Sequence, residues 1–208
     1  MRATITPILL AAGGSSRFEG GHKLLAPLDL GEGPKPVAAH AYGALLAAFG
    51  QPPLVVLGAR ADEVRDALGD PPHAVVNPHH AEGMGTSLAV AAQTLRSRGG
   101  AVPAVLIALA DMPLLNAAVH RAVAAALGPV PDAVARAFSP SPDGPRPGHP
   151  VGLGPDWLAR LARLDGDAGL RDMLRSATIV RVPVDPRSQL DVDTRDALAR
   201  AAAPGNGG

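Results

Sequence analysis

Three kinds of residue in this sequence have the chemistry to handle a phosphorylated molecule: a run of small residues, cations close to that run, and carboxylates at strand ends. The run is Ala12-Gly13-Gly14-Ser15-Ser16-Arg17, continuing to Gly20, Gly21 and Lys23. Small side chains let backbone N–H groups approach phosphate oxygens, while Arg17 and Lys23 place positive charge on the same anion. The combination suggests a triphosphate cradle. Two common phosphate motifs are absent. A P-loop needs Gly-Lys followed by Ser or Thr, and Gly21-His22-Lys23-Leu24 lacks that magnesium-holding hydroxyl. The dinucleotide pattern G-x-G-x-x-G fails because Gly13 is followed by Gly14 and Ser15. In isolation the segment also reads as a Gly-rich surface turn with two solvated cations.

The carboxylates come later in the chain. Leu106-Ile107-Ala108-Leu109-Ala110 is an apolar run ending in Asp111-Met112-Pro113, where Pro113 turns the chain and leaves Asp111 at the strand exit. A lone Asp there also suits a turn brace. Leu190-Asp191-Val192-Asp193-Thr194 offers a second carboxylate, and strand alternation would point Asp191 and Asp193 to one side. Magnesium, a hard cation, takes one or two carboxylates and completes its shell with substrate phosphates and water. Asp193 would otherwise serve only to cap the final helix. The adjacent His79-His80 pair lacks a third His or a Cys at zinc spacing, so it is not read as a metal site.

These residues need a scaffold that gathers them at one edge. Strand-length apolar runs at Thr6–Ala11, Leu54–Leu57, His73–Asn77 and Ala104–Leu109 alternate with helical segments at Pro36–Phe49, Asp62–Leu68, Thr86–Arg98 and Asn116–Leu127. Asn116 is the expected cap of its helix, and hydroxyl residues are expected to cap Thr86–Arg98. The alternation predicts one α/β domain, a Rossmann-like, mostly parallel sheet with helices on both faces. Beyond Leu127, Ala133–Ala137 and Val151–Leu153 read as strands. Ser139–Pro150, with five Pro and two Gly, reads as an extended loop. Asp156–Arg163 and Gly169–Arg175 read as helices, Thr178–Pro183 as a strand and Thr194–Ala202 as a helix. The domain is expected over 1–203, with 204–208 as a flexible tail. In such a fold ligands bind beyond the carboxyl ends of the strands, where the Gly-rich run and Asp111 both fall.

Composition narrows the class. With 208 residues, 47% hydrophobic and 18% charged, the chain can bury a full core and is not of disordered composition. Lys plus Arg is 19 and Asp plus Glu is 19, so no global basic field exists to hold a nucleic-acid backbone. The absence of Cys excludes disulfides, thiolate metal sites and a Cys nucleophile. Ile8–Ala12 is too short to span a bilayer, and Met1-Arg2 leads into it without a secretory pattern, so a cytoplasmic protein is expected.

Leu10-Ala11-Ala12-Gly13-x-Ser15-x-Arg17 followed by Lys23-Leu24 resembles the signature of nucleotidyltransferases that activate phosphorylated small molecules, most closely the molybdenum cofactor cytidylyltransferases. The guanylyltransferases of that cofactor usually carry Leu-Ala-Gly-Gly, so Ala12 favours cytosine. Further segments follow in order along nearly the whole chain. Leu109-Ala110-Asp111-Met112-Pro113 resembles the metal-ligand motif L-x-D-M-P. Asn77-Pro78 through Gly83-Met84 to Ser87-Leu88 resembles the base-pocket segment. Arg146-Pro147-Gly148-His149-Pro150 and Gly166-Asp167-Ala168-Gly169-Leu170-Arg171 resemble the segments that receive the second substrate, and Asp191–Thr194 resembles the C-terminal D-I-D-T. Two departures stand out. Five residues separate Arg17 from Lys23 where the family usually has four, and Arg195 stands where the family has Pro.

The resemblance implies transfer of CMP from CTP to the terminal phosphate of molybdopterin, with pyrophosphate released. It implies Arg17, Lys23 and Asp111 as catalytic residues, and Mg2+ on Asp111 and Asp193. Leu10, Ala11, Ala12, Gly13, Gly14, Ser15, Lys23, Gly83 and Ser87 would bind nucleotide, and His149 and Arg171 the acceptor. The implied partners are CTP and the molybdenum cofactor, with an apo-molybdoenzyme or its chaperone as recipient, and neither nucleic acid nor membrane. A guanylyltransferase, a sugar- or alcohol-phosphate nucleotidyltransferase of the same fold, and a non-catalytic cofactor carrier are the alternatives.

Overall fold

The structure, a computed structural model, describes residues 5–166 and 170–204. Strands β1 (Ile5–Ala11), β4 (Leu54–Leu57) and β6 (Ala104–Leu109) are the apolar runs of the sequence, buried on both faces as the strands of a parallel sheet must be. With β5 (Ala74–Val76), β7 (Val134–Ser139), β8 (Arg146–Leu153) and β9 (Ile179–Pro183) they form a seven-stranded sheet in the order β5-β4-β1-β6-β8-β7-β9. Only β8 runs against its neighbours β6 and β7. The chain leaves β1 toward β4 and later returns to pair β6 on the other side of β1, which opens a crevice at the carboxyl ends of β1 and β6.

Alternation along the strands divides the core. On one face Leu9, Leu57, Leu106 and Ala135 pack with α1 (Val37–Phe49), α2 (Ala61–Ala67) and α4 (Ala117–Ala126). On the other, Ile8, Leu10, Ile107 and Leu153 pack with α3 (Met84–Ser97), α5 (Trp157–Leu161) and α6 (Leu170–Met173). A smaller cluster of Phe18, Leu28, Val37, Val192 and Ala201 joins the Gly-rich run to α7 (Arg195–Ala202). The doubly covered α/β domain expected from the sequence is the observed one.

Four local expectations are corrected. The hairpin of β2 (Pro27–Asp29) and β3 (Pro34–Pro36) was hidden by its prolines. The extended loop expected over Ser139–Pro150 shrinks, because Arg146–Pro150 already belongs to β8. That Pro-rich half pairs with β7 alone; β6 is hydrogen-bonded only from Val151 onward, so donors missing at Pro147 and Pro150 interrupt no second ladder. Helix α3 begins at Met84 with no side-chain cap, and the Thr86 hydroxyl instead donates back to the Gly83 carbonyl at 2.8 Å. Asp191–Asp193 is irregular backbone rather than strand. Asp167, Ala168, Gly169 and 205–208 of the expected tail lie outside the described residues. Asn116 caps α4 as expected, its side chain accepting from Val119 N at 3.0 Å.

Candidate functional site

The loop after β1 is held by its own polar groups. Ser15 adopts a left-handed backbone (φ 57°) that turns the chain, and Phe18 N donates to Ser15 O at 3.0 Å. The Ser15 hydroxyl accepts from Lys23 N at 3.1 Å. The His22 ring donates from Nε2 to the Gly13 carbonyl at 3.0 Å, closing the loop from the far end. Burial lowers the His22 pKa, more than the Gly13 carbonyl raises it, so the ring is neutral at pH 7. Phe18 is sunk into the small apolar cluster, so Arg17 beside it is carried to the loop's rim.

The two carboxylates arrive from distant parts of the chain. Asp111 follows β6, where Ala110 N extends the ladder to Leu10 O at 3.0 Å. Val192 N donates to the Asp111 backbone carbonyl at 2.8 Å, which places the next residue, Asp193, beside it. Thr194, not Asp193, caps α7 by accepting from Ala197 N at 3.1 Å, so the Asp193 side chain is left for other work. Lys23 Nζ lies 2.5 Å from Asp111 Oδ2 and 2.5 Å from Asp193 Oδ1, and Arg17 Nη2 lies 2.5 Å from Asp193 Oδ2. Burial acts to lower the Lys23 pKa, but the two carboxylates outweigh it and hold the ammonium charged above its ordinary value. Burial likewise acts to raise Asp193, and Lys23 and Arg17 together pull it below the usual carboxylate range.

Asp111 Oδ1 is buried and has no hydrogen-bond partner. An orphaned carboxylate oxygen beside a second carboxylate fits a hard divalent cation such as Mg2+ or Mn2+. Among the described residues no group of three His, Cys, Asp or Glu side chains converges, so such a cation would draw its remaining ligands from phosphate and water.

These groups form one wall of a cavity of about 370 Å³ at the crevice between β1 and β6. Leu10, Ala12, Gly13, Gly83 and Ser87 line it with Arg17, Lys23, Asp111 and Asp193. Of the other expected nucleotide residues, Ala11 is buried in the opposite face of the sheet, and Gly14 and Ser15 do not line the cavity. The far wall is braced by Asn77, which is fully buried; its amide donates to Thr86 Oγ1 at 2.8 Å and Ser87 Oγ at 2.9 Å and its oxygen accepts from His79 N at 2.9 Å. Because the Ser87 hydroxyl accepts from Asn77, its own proton is free to be donated into the cavity. Gly58 backs the same wall: a Cβ there would stand 2.5 Å from Ala12 O and 2.7 Å from His80 Cβ. His79 pairs with Glu82 at 2.8 Å.

A second cavity of about 580 Å³ adjoins the first, sharing Leu109 and Asp191, and is lined by Arg146, His149 and Gln189. Gln189 holds the backbone of His149 reciprocally, accepting from its N and donating to its O, each at 2.8 Å. Burial, with help from the charge of Arg136, pushes the His149 pKa down to about 4, so it acts here as a neutral ring. Arg136 Nε donates to Gly148 O at 2.8 Å. Arg171 is exposed and lines neither cavity, so the two expected acceptor residues are not gathered in one pocket. Sequence reasoning placed Asn77 in the base-pocket segment without giving it a role, and passed over Gln189 and Arg136. An Asn before Pro at a strand end was a usable signal for the first, while Gln189 and Arg136 carried none.

No curated protein matches the sequence. Among solved structures, Rv0371c from Mycobacterium tuberculosis H37Rv is 29% identical with a TM-score of 0.74, covering 95% of this chain and 97% of that one. A manganese complex of the same protein is 28% identical with a TM-score of 0.70, covering 94% and 96%. A nucleotidyl transferase from Methanothermobacter thermautotroptrophicus is 24% identical with a TM-score of 0.74, covering 95% of each chain, a likeness of fold. Residues 7–182 match the family described as MobA-like NTP transferase domain, a span from β1 into β9 that contains the Gly-rich loop, Lys23 and Asp111. By that match the chain belongs to the MobA-like nucleotidyltransferases.

Proposed function

We propose that this nucleotidyltransferase moves CMP from CTP to the terminal phosphate of the molybdenum cofactor and releases pyrophosphate. The observation that carries the transfer chemistry is the Lys23 ammonium gripped by Asp111 and Asp193, with Arg17 alongside, on the wall of a nucleotide-sized cavity. In the reaction an oxygen of the acceptor phosphate attacks the α-phosphorus in line, and the bond to the β-phosphate oxygen breaks. No protein nucleophile is needed; the chain's task is to position the phosphates and spread their charge. Arg17 and Lys23 supply cations to the triphosphate, and the loop from Ala12 supplies N–H groups. Asp111 and Asp193 would hold the divalent cation, whose contribution is to neutralise phosphate charge. Ser87 donates to the base and Ala12 narrows its pocket, which supports cytosine. The adjoining cavity at His149 is assigned to the acceptor, with neutral His149 as a hydrogen-bonding rather than charged contact and Arg146 as the cation on its wall.

The test is pyrophosphate release with Mg2+, each NTP in turn and molybdenum cofactor as acceptor, with Asp111→Asn as control. Release with CTP that is lost in the control is the expected result. Release with GTP instead would overturn the reading of Ala12. Binding of the cofactor without release from any NTP would favour a carrier.

A further inference from the structure

Arg195 lines neither of the two cavities described above, yet its guanidinium reaches across to the phosphate loop. Nε donates to Glu19 O at 2.8 Å and Nη2 to Gly20 O at 3.1 Å, while Cζ lies 4.6 Å from the centre of the Phe18 ring. One planar group thus grips two successive carbonyls by its donors and an aromatic ring by its face, a set of contacts that an ammonium cannot reproduce. The loop is shaped to receive it. Gly20 has φ +73°, and a Cβ there would stand 3.2 Å from Arg195 Nη2. Among the described residues Arg195 has no carboxylate partner within ion-pair distance. It also sits in the first turn of α7, where a positive charge opposes the helix dipole, so its placement gives the helix itself nothing.

We infer that Arg195 is a positioning residue of the transfer site: it ties the Phe18–Gly20 segment to the head of α7 and so holds Arg17 and Lys23 against Asp193. Both ends of the tie lie close to the chemistry. Glu19 and Gly20 fall between Arg17 and Lys23, and Arg195 is separated from Asp193 only by the cap Thr194, whose bond to Ala197 N fixes the start of the helix. The Phe18–Val192–Ala201 cluster brings loop and helix together but constrains no direction within the interface; the forked hydrogen bonds supply that direction. The loop between Arg17 and Lys23 thereby gains an anchor midway along its length. Glu19 serves through its carbonyl, and its side chain is exposed.

The inference rests on the nucleotidyl-transfer reading of the site and is independent of which base or acceptor is used. Its test compares Arg195→Ala and Arg195→Lys with Arg200→Ala, a change on the same helix that removes only the surface pair with Asp196. Steady-state kinetics use the nucleotide that supports release, and amide hydrogen exchange over residues 16–22 is read with and without it. Loss of the tie should raise KM for the nucleotide about fivefold or more and leave kcat within about twofold, because saturating nucleotide reorders the loop. Exchange over 16–22 should quicken in the free variant and return to the wild-type rate when saturated. Lys should not rescue, and Arg200→Ala should change neither reading. Unchanged exchange over 16–22 in Arg195→Ala would overturn the inference, as would quickened exchange with an unchanged KM, or equal effects from Arg200→Ala. The exchange reading needs no turnover, so an inactive wild-type protein would defeat the functional reading while the tie itself was still decided.

Discussion

Lys23 keeps its charge between two carboxylates rather than in solvent, and that placement sets what its removal does. Lys23→Ala should lower pyrophosphate release about a hundredfold or more, in the range seen when one preorganised charge-stabilising group is lost, with the far-ultraviolet circular dichroism unchanged. It also leaves Asp111 and Asp193 without their shared cation, so the variant's melting temperature should fall and recover on adding Mn2+ by more than the wild type gains. Wild-type turnover would remove Lys23 from the mechanism. Asn77 acts at the same scale. Asn77→Ala strips partners from Thr86, Ser87 and His79 N, which should cost about 1–3 kcal/mol in urea unfolding and raise KM for the nucleotide. Lys23, Arg17 and Asp111 were legible because charged types beside a strand end and small residues carry their chemistry in their identity; Asp193, on irregular backbone, was legible only through the resemblance of Asp191–Thr194 to the C-terminal D-I-D-T. Gln189 was not, because its value comes from meeting His149 backbone forty residues away.

Elements carry the next set of constraints. Gly58 follows β4 at a point where Ala12 and His80 close in from both sides, so Gly58→Ala must displace one wall of the cavity. A loss of about 1–3 kcal/mol in chemical denaturation is expected from such overpacking, together with weakened nucleotide binding by titration. Helix α4 buries His120, whose pKa burial pushes from 6.5 down to about 4. In the unfolded chain the ring takes its proton near 6.5, so between there and about 4 the unfolded state binds more protons and stability falls with falling pH. His149, held equally low, adds a loss of the same sign. Each is of the order of 3 kcal/mol across that window. His120→Leu should remove about half of the drop in urea midpoint between pH 7 and pH 4; an undiminished drop would place the acid sensitivity elsewhere. Buried strands β1, β4 and β6 were readable from continuous apolar runs. The first half of β8 was not, because its prolines signal a loop everywhere except beside a single partner strand.

At the scale of the whole molecule the charged wall of the site is a seam between three lengths of chain: the loop after β1, the exit of β6 and the approach to α7. The parallel sheet brings the first two to one carboxyl edge, which the alternation of elements made predictable, while the direct adjacency of β1 and β6 comes from a strand order that alternation does not specify. The third depends on Phe18, Val192 and Ala201 packing outside the main core, and on the Arg195 tie, neither of which periodicity reveals. No helix among the described residues is long and apolar enough to cross a membrane.

The contact between Lys23 and Asp193 spans 170 positions of sequence. During synthesis, then, a nascent chain that has already threaded β1, β4 and β6 into a sheet still carries Asp111 without its acidic companion and Lys23 half paired. The paired carboxylates around Lys23 are therefore complete only once residue 193 has been made and docked, long after the segments of β1, β4 and β6 have been synthesised.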